Sequence, residues 1–63
     1  MSMTAGLHKD DDGEMWAWCP ACGEEVIIEK DDVSGEMPDG TLEYFTYCSE
    51  CGQGFYSSEA YNN

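Results

Sequence analysis

The sequence contains no arginine and only two lysines, Lys9 and Lys30, against fourteen acidic residues, for a formal net charge of −12. A nucleic-acid binder needs basic side chains to displace counterions from phosphate, so charge alone excludes direct DNA or RNA binding. The same shortage excludes anionic membrane surfaces. Histidine is as scarce: His8 stands alone, in a polar stretch well before the first cysteine. It is read as a solvated tail histidine rather than a ligand or base. There is no glycine-rich phosphate loop, and no nucleophile–base pair that spacing supports. The chain is therefore expected not to be an enzyme.

Long apolar runs are also missing. No stretch approaches the roughly 20 apolar residues of a membrane span. No basic region followed by an apolar run opens the chain as given, so no secretory signal is expected. A cytoplasmic location follows as an expectation, and in a reducing compartment cysteines at ligand spacing hold metal rather than cross-link. Chain length is short as well, at 63 residues. A chain of about 60 residues buries only about 60% of the surface it exposes when unfolded. Its core is marginal, and a disulfide, a metal or an oligomer must staple it.

The staple is written into the four cysteines. Two segments match, Trp18-Cys19-Pro20-Ala21-Cys22-Gly23 and Tyr47-Cys48-Ser49-Glu50-Cys51-Gly52, an internal repeat of aromatic residue and CxxCG turn. Two residues between cysteines let both sulfurs point at one ion. Glycine after the second cysteine supplies a positive φ without a Cβ clash, and Pro20 fits early in its turn, where no N–H is missed. Zinc takes four such ligands in a tetrahedron with sulfur at about 2.3 Å. Cys19, Cys22, Cys48 and Cys51 are thus the expected ligands of one structural zinc ion. Four protein thiolates leave that ion no open position for water, which favours structure over catalysis.

Around the cysteines the pattern is that of strands, with no helix. Met1 to Glu14 has neither alternation nor helical period and reads as a flexible acidic tail, residues 1–14. Order is expected from Met15-Trp16-Ala17-Trp18 onward. Glu25 to Glu29 is β-branched, and Thr41 to Tyr47 is rich in aromatic and β-branched residues; these two are expected to pair as an antiparallel hairpin. Between them, Ser34-Gly35 and Pro38-Asp39-Gly40 signal turns. A third short strand is expected around Phe55 to Ser57, and residues 59–63 should fray. The expected domain spans residues 15–58.

On Cys19-Pro20-x-Cys22-Gly23 and Cys48-x-x-Cys51-Gly52, with a strand-rich spacer, the chain resembles the zinc ribbon class. More narrowly it resembles the very small CPxCG-type zinc-finger proteins of prokaryotes, over residues 16 to 57. That resemblance implies a small metal-stabilised β fold: two CxxCG knuckles and a three-stranded antiparallel sheet around one structural zinc. It implies little about function, because ribbons serve many processes. Ribbons that bind nucleic acid carry basic residues on the hairpin, where this chain has acids. Rubredoxins are the alternative, as small acidic iron proteins with two CxxCG knuckles, and Tyr47-x-x-x-Cys51-Gly52-x-x-Phe55-Tyr56 is similar to one of theirs. Their proline-bearing knuckle usually comes second; here it comes first. An all-thiolate tetrahedron suits either metal, so an iron electron carrier stays open beside zinc. A dithiol redox pair lacks the βαβ context it would need.

Aromatic residues and acids remain to be placed. Trp16 and Trp18 lie two apart and share one face of a strand, either covering the metal site or offering an anchor to a partner. Tyr44 lies on one face of its strand and Phe45 and Tyr47 on the other, so a single thin core cannot cover them all. Exposed apolar surface marks interfaces. Asp31, Asp32, Glu36, Asp39 and Glu43 gather on the hairpin loop and its exit. They read either as a solvated, salt-adapted surface or as a face for a basic partner, even one that imitates nucleic acid on a host enzyme. The expected function is a non-enzymatic zinc-binding module that engages another protein.

Overall fold

A computed structural model describes residues 3–61. Its seven strands are β1 (Thr4–Gly6), β2 (His8–Lys9), β3 (Met15–Trp18), β4 (Glu25–Ile28), β5 (Val33–Glu36), β6 (Leu42–Tyr47) and β7 (Gly54–Ser58). The only helical turn among the described residues is a 3-10 turn at Lys30–Asp32. The Asp32 carboxylate closes it, accepting from the Glu29 N–H at 3.1 Å. The strands form two sheets, one of three strands ordered β2-β3-β4 and one of four ordered β1-β7-β6-β5.

The expected strands are present, and Ser34-Gly35, expected to turn, lies instead in β5 beside β6; the pairing differs from expectation in two further respects. First, β4 and β6 do not form a hairpin together. Each knuckle instead closes its own hairpin: β3 pairs with β4 (Trp16 opposite Ile27), and β6 pairs with β7 (Phe45 opposite Tyr56). The physical reason is local, because a CxxCG turn reverses the chain and so delivers the strand after it beside the strand before it. Second, one three-stranded sheet is replaced by two sheets. The two hairpins each present one apolar face, and these faces pack against one another, Met15, Ala17, Val26 and Ile28 against Tyr44 and Phe55. Tyr44 faces inward and is buried, while Tyr47 on the other face is 67% exposed.

The stretch read as a flexible tail carries β1 and β2. β1 runs parallel to β7, with Ala5 opposite Ser57. It is anchored at both ends, by the Tyr56 N–H donating to the Met3 carbonyl (2.9 Å) and the Leu7 N–H to the Ser58 carbonyl (3.0 Å). Ala5 is buried in the core. Its small side chain fits the core beneath β3 of the facing sheet, and that smallness hides the strand from any reading based on large apolar residues. The acidic run after β2 is a turn: Asp10 Oδ1 accepts from the N–H groups of Asp12 and Glu14 (3.0 and 2.9 Å), and Gly13 has φ +83°. At the other end, Tyr61 returns to the sheet, its hydroxyl donating to the Glu43 carboxylate. Of the fraying expected over residues 59–63, the part at 62–63 lies outside the described residues, as do residues 1–2 of the expected tail.

Period-two alternation places the core. Met15, Ala17, Val26 and Ile28 face inward from the three-stranded sheet and meet Ala5, Tyr44 and Phe55 from the other. Phe55 is fully buried, and burying such a side chain is worth about 1.5–3 kcal/mol. The buried cysteines Cys19 and Cys48 complete the same cluster. Core and cysteine site are therefore one packed unit.

Candidate metal centre

The two knuckles are built alike. In the first, at the end of β3, the Gly23 N–H donates to the Cys19 carbonyl (2.8 Å) and the Cys19 N–H to the Glu24 carbonyl (2.8 Å). In the second, at the end of β6, Gly52 donates to Cys48 (2.8 Å) and Cys48 to Gln53 (3.0 Å). Gly23 and Gly52 take φ +82° and +76°, as the turn argument requires. Apart from the residues on either side in the chain, no atom lies within 4 Å of where a Cβ would stand on either glycine. Backbone conformation, not space, selects glycine there.

These turns bring all four sulfurs together, each Sγ within 4.8 Å of every other. Cys19 approaches Cys51 at 3.6 Å and Cys22 approaches Cys48 at 3.5 Å, so the close pairs cross from one knuckle to the other. A tetrahedron with metal–sulfur bonds of about 2.3 Å has sulfurs about 3.8 Å apart. The distances in the cluster bracket that spacing, and four cysteines in this arrangement can hold a metal ion. The first cysteine of each pair is buried and the second exposed, so the site sits at the rim of the core.

The protons on this cluster are unevenly held. Burial opposes ionisation of Cys19, but the N–H groups of Cys22 and Ala21 and the thiols of Cys22 and Cys51 outweigh it, lowering its pKa to about 6. Cys22 runs the other way. The Glu24 N–H favours its thiolate, yet burial and the neighbouring Cys48, Cys19 and Cys51 dominate and push it up to about 12. Four thiols this close cannot all ionise unless a cation offsets the charge. A divalent ion bound there would displace the thiol protons that the cluster otherwise retains.

Other residues singled out in the sequence lie elsewhere. His8 is no part of the cluster; its ring stacks on Trp16, centroids 4.5 Å apart and 19° from parallel. It is half-buried and paired in β2 opposite Trp16, which corrects the solvated tail histidine. The polar residues around it concealed this, and the Asp-Gly turn at 12–13 was the signal that a strand could precede β3. Trp16 and Trp18 do share one face, edge to face at 5.1 Å, but it is the outer face of the sheet. Phe45, Tyr47 and Tyr56 form a second outward group on the other sheet, with Phe45 centroids 5.1 Å from Tyr47 and 4.8 Å from Tyr56. No helix among the described residues is long and apolar enough to cross a membrane. Comparison with protein-family models, with curated proteins and with solved structures found no match in any of the three.

Proposed function

We propose that this chain is a non-enzymatic, zinc-ribbon-type module: one zinc ion on Cys19, Cys22, Cys48 and Cys51 holds the fold, and the surface binds another protein. The observation that carries the reading is the convergence of four sulfurs from two matching knuckles within 4.8 Å. Zinc suits an all-thiolate tetrahedron with no open position and no redox duty. With four thiolates filling its coordination sphere, the ion serves structure. The protein works in the cytoplasm, where thiols stay reduced and available to metal.

Recognition falls to the outward aromatics and the acids. Trp18 and Tyr47 are each at least half exposed, and the net charge of −12 favours a partner with a basic surface. Metal analysis with a visible spectrum tests the first half of this reading. One equivalent of zinc and a colourless protein is the expected result; a red iron–thiolate spectrum would replace the module with an electron carrier. Affinity capture of the zinc-loaded chain tests the second half.

A further inference from the structure

The outer face of the three-stranded sheet orders its side chains in rows. Directly opposed residues in an antiparallel pair share a face, so Trp16 with Ile27, and Trp18 with Glu25, form two successive outward rows. Continuing the same register past the strand ends puts Glu14 opposite Glu29 on that face. Both line an open groove with Ile27, between the Asp10–Gly13 turn and the 3-10 turn. Asp12 and Asp31 add carboxylates to the groove, and Lys30 is its one basic residue. The face therefore reads acid pair, apolar row, then tryptophan beside acid. Trp18 and Ile27 are 50% and 44% exposed. His8 covers Trp16, which leaves Trp18 as the open ring.

We propose that this face binds an extended, arginine-bearing segment of a partner protein, with one arginine over Trp18 against Glu25 and a second in the Glu14–Glu29 groove. The inference rests on the protein-binding reading given above and assigns it a surface and a ligand chemistry. Charge complementarity selects the occupant. Among the described residues the only ion pair is Lys9–Glu59, so none of the acids on this face is neutralised by a salt bridge. Arginine fits better than lysine because its planar guanidinium stacks on an indole while its N–H fork reaches a carboxylate. The Glu14–Glu29 row stands four residues from the Trp18–Glu25 row, about 13 Å at roughly 3.3 Å per residue. An extended segment spans that distance between residues i and i+4, and the side chain at i+2 lies over Ile27. The opposite sheet offers no equivalent. There Phe45 and Tyr47 close over Gly54, and the Glu43 carboxylate is engaged by Tyr61.

The test uses the zinc-loaded full chain and three synthetic peptides of equal charge: Arg-Thr-Val-Thr-Arg, its scrambled form with adjacent arginines, and Lys-Thr-Val-Thr-Lys, each blocked at both ends. Tryptophan fluorescence measures affinity and amide shifts locate the site. The spaced arginine peptide should bind about fivefold or more tighter than either control, and should shift Trp18, Glu25 and Ile27. Glu25→Gln, and the pair Glu14→Gln with Glu29→Gln, should each weaken it by a similar factor. The pair Glu36→Gln with Asp39→Asn, which removes the same charge from the other sheet's edge and loop, should not. Equal binding of all three peptides, equal loss from both acidic pairs, or no binding would overturn the inference. Shifts confined to Phe45, Tyr47 and Tyr56 would overturn it too, while leaving the protein-binding reading in force on the other face.

Discussion

The first and second cysteine hairpins share a knuckle and an outward aromatic pair and differ in the strands beside them. Both close with the same pair of backbone hydrogen bonds and a glycine at positive φ. Yet β6 and β7 are flanked on both sides, by β5 and β1, whereas β3 and β4 gain only the two-residue β2. The second hairpin buries Phe55, Ser57 and Ser58 completely, on both faces of β7, while Leu42 and Tyr47 on β6 stay exposed; the first buries Ala17, Val26 and Ile28 on one face only and leaves Trp18 and Ile27 open. A repeated motif thus fixes a ligand-bearing turn and not its surroundings. What each sheet becomes depends on the strands recruited beside it.

If the two knuckles are equivalent, losing a sulfur from either should have the largest effect in the molecule. A structural zinc site contributes an apparent 10–16 kcal/mol at neutral pH, against total stabilities of about 5–15 kcal/mol for whole domains. Cys22→Ser, exposed in the first knuckle, and Cys48→Ser, buried in the second, should both collapse amide dispersion in an NMR spectrum. Chelation of the reduced wild type should do the same. A folded Cys22→Ser protein beside an unfolded Cys48→Ser one would show that burial rather than ligation holds the fold.

Unequal burial should separate the two hairpins next. Phe55→Ala removes a fully buried ring and should cost about 3–5 kcal/mol. Ile27→Ala, on the open face of the first sheet, should lie within about 0.5–1 kcal/mol of wild type. Denaturant titration of zinc-loaded variants measures both. A comparable loss from Ile27→Ala would mean that something covers that face in the isolated chain.

A smaller effect should restore the symmetry. Gly23→Ala and Gly52→Ala place a Cβ in open space on a left-handed backbone, so each should cost about 1 kcal/mol through conformation alone. Gly54→Ala is a contrasting case in the second hairpin only. Its φ is not left-handed, but its Cβ would stand 2.7 Å from the Phe45 ring and 3.0 Å from Tyr47. The penalty there is steric, and Phe45→Leu should relieve it while leaving Gly52→Ala unchanged.

How much of this was legible in the sequence follows the same division. The cluster of Cys19, Cys22, Cys48 and Cys51, the glycine conformations and the strands β3, β4, β6 and β7 are local properties, written in spacing and β-branched or aromatic content. The turn at Pro38-Asp39-Gly40 is local too: Asp39 Oδ1 accepts from the Thr41 N–H and hydroxyl at 3.0 and 2.7 Å, and Gly40 has φ +96°. Strand partners are not local. Thr4-Ala5-Gly6 becomes a strand only because β7 offers a free edge and small residues fit against it. Composition favours pairing of β4 with β6, but the reversing turns commit each to a nearer neighbour.

The smallest expected effect is confined to the second sheet, where Tyr61 bonds to Glu43. The Glu43 carboxylate accepts from the phenol and repels its anion, and burial adds to this, raising the Tyr61 pKa from its ordinary 10 to about 12. A folded-state pKa raised above the unfolded value means that the neutral phenol is the stabilising form. Its contribution is complete below pH 10 and is lost as pH rises through about 12. The bond lies near the surface, where solvent screening keeps its worth to about 1 kcal/mol or less. Tyr61→Phe should therefore lower stability by a small, constant amount from neutral pH up to 10, and the gap to wild type should close between 10 and 12. Using the difference between the two proteins removes the titration of the cysteines, which both share. A gap that persists unchanged above pH 12 would assign the stabilisation to ring packing on β6 rather than to the hydrogen bond. No matching titration should arise from the first sheet, because none of its strands carries a tyrosine.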